Sequence, residues 1–456
     1  MAAARRPGDR PIRRSPCPRM SFRSPARPAT IAAAPADIEA VRRLAMIPLA
    51  AFALLAQLDA LANRVSAALP IGTTELLIAA IVGCTLLILL HPASATTQHA
   101  RGHDGARLMA LLFAWAVFAW TLSTHRSEGI DYLTGLATAI VPALCLLVIA
   151  DTPVRLQLLL WAMIAAGLVS AAIVIVETRT GMRILSTSLA ATTADFEGVA
   201  RSAGGSDENP TTAAQMLLVS VGLAFGLLFA GVRRGWPVLA LLAAIGSVAL
   251  AMASARSAIL GLAAVLGLLM LSLRHDRRFP LLVLGAIVAM LAAIPFLPPT
   301  LVERFAAIGD FSQDQTLFRR LTYLRIGTDL VQQSPIWGVG PGNFPFFYLD
   351  DAYRWLPGRV AVPRELHNSY LDSAAEYGLV GLAIFGALVT HALLQARRAA
   401  HAGDPLLRQA GLAAGLALAG LLVACFFMPH KDLRYLWLML AIAIQCGRLR
   451  AREETP

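Results

Sequence analysis

The chain has 456 residues, 57% hydrophobic and 15% charged, with a mean hydropathy of +0.64 and a formal net charge of +11. Soluble domains average about 25% charged residues, so the composition excludes an ordinary soluble enzyme. The basic residues fall between apolar segments and in one tail, so they do not form the patch that would mark a nucleic-acid binder.

Residues 1–43 are rich in Arg, Pro and Ala. They read as a disordered basic cytoplasmic arm, or in part as an over-long gene start with Met20 or Met46 as later starts. Without an apolar h-region they do not read as a cleaved signal peptide. Apolar segments follow at 44–62, 72–90, 107–123, 132–150, 155–176, 211–230, 236–253, 256–273, 280–298, 367–395, 406–428 and 433–447. At about 20 residues per crossing, these predict an all-α polytopic membrane protein with about 12 transmembrane helices. Pro48 and Asp59 interrupt the first segment. No period-two alternation suggests a barrel, so the backbone must be satisfied inside helices.

An even number of spans places both termini on one side. Under that layout the inner short loops and the tail carry Arg101, Arg107, Arg155, Arg233, Arg234, Arg274, Arg277, Arg278, Arg397, Arg398, Arg408, Arg448, Arg450 and Arg452. The outer short loops carry only Arg64, Arg126, Arg256, Lys431 and Arg434. The positive-inside rule then assigns the termini to the cytoplasm. Residues 44–450 form the membrane-embedded domain and 451–456 a cytoplasmic tail, while the long connections 177–210 and 299–366 lie outside. Of 39 basic residues only Lys431 is a lysine, a bias to which no functional weight attaches. The five cysteines have no metal-ligand spacing.

The second long connection has internal order. Leu317, Leu321, Leu324 and Val331 recur at helical spacing over 314–333. SPIWGVGPGNF (334–344) is a Pro/Gly turn cluster. FPFFYLDDAYRWLPG (344–358) is dense in aromatics, which either stack on sugar rings or pack the loop on the membrane surface.

His367 stands where this connection meets the next apolar segment. At a helix start the positive end of the dipole disfavours imidazolium, which keeps the ring neutral and able to accept a proton. The bland alternative is a satisfied interfacial histidine. Asn368 offers a capping or substrate-orienting group. Arg201, Arg256, Arg319, Arg320 and Arg325 all fall on the outer side, and guanidinium forks bind phosphate oxygens in a bidentate way. Interface anchoring, or an ion pair with Asp207, Glu208 or Glu376, stands beside that reading for Arg201 and Arg256, and a solvated helix face for Arg319 and Arg325. Glu376, inside the tenth segment, needs a partner, and positioning an arginine is its expected role.

Several motifs, in order, resemble the bacterial O-antigen ligases within the O-antigen ligase and polymerase superfamily. They are RSAGGSDENP with Arg201 and Asn209, SARS with Arg256, Arg320 with Tyr323, the P-x-x-G-x-G of SPIWGVG, and His367-Asn368 followed by Gly378 and Gly381. RSAGGSDENP is more acidic than that family's usual segment. The resemblance implies a glycosyltransferase in the bacterial inner membrane with its active site at the periplasmic face. Its donor would be a glycan on undecaprenyl diphosphate, and its acceptor the lipid A-core oligosaccharide or another hydroxyl. It implies no cofactor and no metal, with His367 as general base. Arg201, Arg256 and Arg320 would bind the diphosphate, with Asn368, Glu376 and Tyr323 in support. Inversion at the anomeric carbon is expected. An O-antigen or exopolysaccharide polymerase and a protein O-oligosaccharyltransferase use the same donor chemistry. A lipid-linked sugar transporter, from another class, predicts charges spread through the mid-span, whereas these segments are mostly Leu, Ala, Val and Gly.

Overall fold

A computed structural model describes residues 36–67, 71–92, 103–185, 201–275, 279–280, 283 and 315–453. These residues form helices and connections, with no strand among them. The helices are α1 (Ala36–Leu55), α2 (Asp59–Ser66), α3 (Thr73–Leu90), α4 (Asp104–Thr121), α5 (Arg126–Ile149), α6 (Pro153–Thr180) and α7 (Pro210–Phe229). They continue with α8 (Trp236–Met252), α9 (Arg256–Leu273), α10 (Gln315–Gln333), α11 (Phe344–Tyr348), α12 (Ser369–Ala399), α13 (Pro405–Ala424) and α14 (Arg434–Glu453).

Among the described helices, 7 are long and apolar enough to cross a membrane, or up to 8 if the bent pair α1–α2 counts as one span. The figure of about 12 is therefore not reproduced by that measure. α8 has only 17 residues. α14 ends in Arg448, Arg450 and Arg452 and is buried on nearly every side, as a core helix of the bundle. The segment expected at 280–298 lies almost wholly outside the described residues, as do residues 1–35.

The first segment shows how local chemistry shapes the chain. Helix α1 is described from Ala36, so residues 36–43 are helical ahead of the segment expected at 44; Ile38 is buried there, and Glu39 and Arg42 have partners. Arg42 pairs with Asp151 at 2.5 Å and Arg155 with Glu39 at 2.6 Å. Pro48 is accommodated inside α1, and the break comes just before Asp59, where α2 turns away by 112°. Asp59 then accepts hydrogen bonds from the backbone N–H groups of Ala60 and Asp207.

Caps follow the sequence signals. Thr152, Asn209, Asn368 and Asp404 each accept hydrogen bonds from the first turn of the following helix. Proline occupies the start of α6, α7 and α13, where its missing N–H costs nothing. At the centre, α7 lies close against α13. A Cβ on Gly222 would meet the Ala417 Cα at 2.9 Å, and one on Gly226 the Ala413 Cα at 2.4 Å. Small residues four apart on both helices permit this approach, which suits helices packing in lipid. Leu87, Leu90, Leu241 and Leu271 point outward and are more than half exposed, as lipid-facing residues are.

The two ends of the bundle differ. At one end Gln445 and Arg448 bond to the Ala150 and Leu147 carbonyls, and Gln157 to that of Leu406. This is the end to which the arginine asymmetry assigns the cytoplasm. The other end gathers the SARS turn, the start of α7, the 315–368 connection and the 425–433 turn.

Candidate functional site

The site is built where the long connection enters α12. Asn368 has extended backbone, and its side chain accepts from the Tyr370 and Leu371 N–H groups at 3.0 and 3.1 Å. Asn368 thus caps α12. His367, just before it, has φ +56°. A bulky residue in left-handed backbone is uncommon and is held there by its surroundings. The only other described non-glycine residue with positive φ is Ser254, at +52°, in the SARS turn. Both strained positions therefore fall in motifs singled out from the sequence.

The His367 ring is half-buried, and its Nδ1 is enclosed without a hydrogen bond. Helix α10 brings Tyr323 edge-on to it, with ring centroids 5.0 Å apart. Tyr323 is itself buried against Tyr348. Arg320 and Tyr323 stand three apart on α10, which puts them on one face. The Arg320 guanidinium lies 5.3 Å from the centre of the Phe427 ring. Burial, then the positive charges of Arg320 and Arg364, depress the His367 pKa to about 4. Burial and arginine charge thus favour the neutral ring at pH 7, two causes beyond the helix dipole considered from the sequence.

Arg364 is a site residue that sequence reasoning missed. It lies three residues before His367, and the arginine-rich composition hid it. Removing its charge is expected to move the His367 pKa upward. An NMR or chemical-modification titration of His367 in Arg364→Gln checks this, and an unmoved midpoint would take Arg364 out of the site.

The P-x-x-G-x-G segment meets α12 at a backbone break. Gly378 has φ +70° and ψ 179°, a conformation essentially reserved for glycine. This interrupts the helical ladder and frees carbonyls for other donors. The Val339 N–H bonds to the Ala375 carbonyl at 2.9 Å, and the Gly340 N–H to that of Glu376 at 3.0 Å. The Leu379 N–H returns to the Pro335 carbonyl at 2.8 Å. The two glycine motifs are thus the two halves of one crossing.

Glu376 does not position an arginine as expected. Its carboxylate pairs with Lys431 at 2.8 Å and accepts from the Phe344 N–H at 3.2 Å. Lys431 also holds Asp372 at 2.7 Å, and all three side chains are buried. Two carboxylates one helical turn apart repel, and burial makes an uncompensated charge costly. The 425–433 turn supplies the missing cation. No motif reading in the sequence pointed to Lys431 or Asp372; the signal available was a lone lysine in an arginine-rich chain.

Arg256 and Arg201 occupy the same end. Arg256 opens α9. Its neighbour Ser257 accepts from the Gln215 side chain at 2.7 Å, and the same amide nitrogen reaches the Ala424 carbonyl at 3.4 Å. The adjacent Cys425 carbonyl accepts the Ser369 N–H at 2.8 Å. The SARS turn is thereby joined to the residue after Asn368. Arg201 is 6% exposed, and its guanidinium donates to the Thr211 hydroxyl at 3.2 Å. Its carbonyl accepts from Arg183 at 2.9 Å. Asp207 ties this loop to α2: its carboxylate accepts from the Asn63 side chain, and its backbone N–H donates to Asp59. Tyr323 packs directly on His367 and the charges of Arg320 and Arg364 act on it, while Arg256 is tied in through the Ser257–Gln215 contact and Arg201 through Thr211.

The aromatic stretch divides. Phe344 and Tyr348 are buried with Tyr323, and Phe346 stacks on His125 at 4.8 Å. Trp355 is 81% exposed beside Arg354. Among the described residues no group of three His, Cys, Asp or Glu is arranged to hold a metal ion.

Residues 240–386 match the family model described as O-antigen ligase. The match runs from α8 into α12 and takes in the SARS turn, α10, the P-x-x-G-x-G segment and His367-Asn368. A search of curated proteins gives no match.

Proposed function

We infer that this member of the O-antigen ligase family, identified through residues 240–386, is a periplasmic-face ligase of the inner membrane. It moves a glycan from undecaprenyl diphosphate to the lipid A-core oligosaccharide. The family is a glycosyltransferase-like ligase and polymerase group within multi-pass membrane proteins. The observation that carries the finer reading is the His367 ring, edge-on to Tyr323 just before α12, with Nδ1 making no hydrogen bond and the charges of Arg320 and Arg364 acting on it.

The chemistry follows from these groups. The acceptor hydroxyl attacks the anomeric carbon from the face opposite the diphosphate, and its proton passes to the neutral imidazole. The C1–O bond breaks, its electron pair leaves with the diphosphate, and the configuration inverts. Arg320, Arg364, Arg256 and Arg201 offer fixed positive charge for the developing phosphate negative charge, and preorganised charge of this kind is a large catalytic contribution. Both substrates are lipid-anchored in the same leaflet, so neither needs to leave the bilayer.

Complementation of a bacterium lacking its own O-antigen ligase tests the reading, with an in vitro arm using purified lipid A-core. Transfer to lipid A-core is expected. Chain growth on the lipid carrier without such transfer would replace the ligase reading with the polymerase one. Modification of a protein hydroxyl would replace it with the protein transferase. Export of an unaltered lipid-linked glycan would make the chain a transporter.

A further inference from the structure

Lys431 is the chain's only lysine, and it is 2% exposed. Its ammonium sits 2.7 Å from Asp372, 2.8 Å from Glu376 and 4.5 Å from the centre of the Tyr377 ring, with the Tyr132 ring at 5.4 Å. Its carbonyl accepts from the Trp437 indole at 2.6 Å. A compact ammonium fits this cage, whereas a planar guanidinium needs a wider fork. In a chain that otherwise uses arginine throughout, the geometry of this one place calls for lysine.

What the clamp holds matters more than the clamp. The 425–433 turn that carries Lys431 also carries Phe427, the ring beneath Arg320. The same turn grips the residue after Asn368 from three directions. The Ser369 N–H donates to the Cys425 carbonyl, its hydroxyl donates to the Met428 carbonyl at 2.7 Å, and the His430 N–H donates to that hydroxyl at 3.0 Å. Arg320 and His367 come from different segments, and this turn touches both sides of the gap between them.

We propose that Lys431 is a positioning residue: by clamping Asp372 and Glu376 it seats the 425–433 turn, and through that turn it sets the spacing between Arg320 and His367. The inference rests on the transferase reading above only for its activity readout. Tyr323 packs on the His367 ring, Phe427 lies beneath Arg320, and the charges of Arg320 and Arg364 act on His367, so loosening the turn changes the charge that His367 experiences.

The test uses the full chain in detergent or proteoliposomes, with Lys431→Met, Lys431→Arg and the charge-free triple variant Asp372→Asn/Glu376→Gln/Lys431→Met. Arg42→Met, at the opposite end of the bundle, serves as a control for general destabilisation. Two quantities are read on the monodisperse fraction. One is kcat for whichever glycan transfer the wild type performs. The other is the pH midpoint for carbethoxylation of His367 by diethyl pyrocarbonate, followed by mass spectrometry, which needs no activity. We expect kcat to fall at least tenfold in Lys431→Met and Lys431→Arg, with the His367 midpoint moving upward. We expect Arg42→Met to keep both values even where its melting temperature falls as far. The triple variant, which leaves no buried charge unpaired, secures a folded protein, and the same losses are expected in it. Wild-type kcat and midpoint in Lys431→Met, or their restoration in Lys431→Arg or the triple variant, would reduce Lys431 to a fold-stabilising ion pair. Should the wild type transfer no glycan, the transferase reading fails while the midpoint still decides the positioning role.

Discussion

Replacing His367 with glutamine is expected to lower transfer per enzyme molecule by about 10²–10⁴-fold, the usual contribution of a positioned general base. Donor KM should change little, because the arginines remain. The pH profile adds a second check. Burial and the charges of Arg320 and Arg364 hold the free-enzyme pKa near 4, so the acid limb of kcat/KM is expected there. The proposed donor brings a diphosphate between those arginines, offsetting their charge and raising the affinity of His367 for a proton. The acid limb of kcat should therefore lie above that of kcat/KM. The folded-state pKa is depressed below the ordinary 6.5, so the unfolded chain takes up the proton first as pH falls. Stability from this residue is present above pH 6.5 and declines towards about pH 4, and His367→Gln should flatten that part of the curve. A mutant retaining wild-type rate, or identical limbs in the two profiles, would remove His367 from the role of base.

Gly378→Ala is expected to be the most damaging single methyl in the described chain. A Cβ there would lie 2.0 Å from the Ile336 carbonyl oxygen, in backbone with φ +70° and ψ 179°. Conformational strain and overpacking each cost about 1–3 kcal/mol, and together they remove a large part of the about 5–15 kcal/mol by which a protein is stable. Gly386 is the internal control: it lies on the same helix, and a Cβ there meets nothing within 4 Å. Thermal unfolding in detergent should show Gly378→Ala melting far earlier or failing to yield monodisperse protein. Gly386→Ala should match the parent or gain slightly, as alanine does in a helix. Equal behaviour of the two variants would mean that the crossing is not a fixed point of the fold.

Much of the framework was legible because apolar length and capping residues are local signals. Asn368 was read as a capping group and caps α12, and the apolar segments at 211–230 and 406–428 correspond to α7 and α13, whose caps Asn209 and Asp404 the structure adds. The break at Asp59 was foreshadowed by a carboxylate inside an apolar run. The start of α1 was not, because the partners of Glu39 and Arg42 lie more than a hundred residues away, at Asp151 and Arg155. In the candidate site, His367 was singled out by its place before an apolar segment and Tyr323 through the family resemblance, and the contact between their rings is the part that the structure adds. Glu376 was recognised as needing a cation and given an arginine, whereas Lys431 from the far side of α13 supplies it. Arg364 was invisible among so many arginines. Such pairings depend on which segments the fold brings side by side, and no local pattern encodes that.

The interruption at Gly378 divides one 31-residue helix into two mechanically distinct parts. Its first turns are anchored to the 335–340 segment and to Lys431, while the remainder runs through the bundle with Leu379 and Val380 exposed. A change in bilayer thickness or tilt would act on the second part, and the interrupted ladder would keep that load from passing rigidly to the first. The register of His367 is then expected to follow the 335–340 segment and Lys431 rather than the surrounding lipid, so that one site geometry serves across lipid compositions.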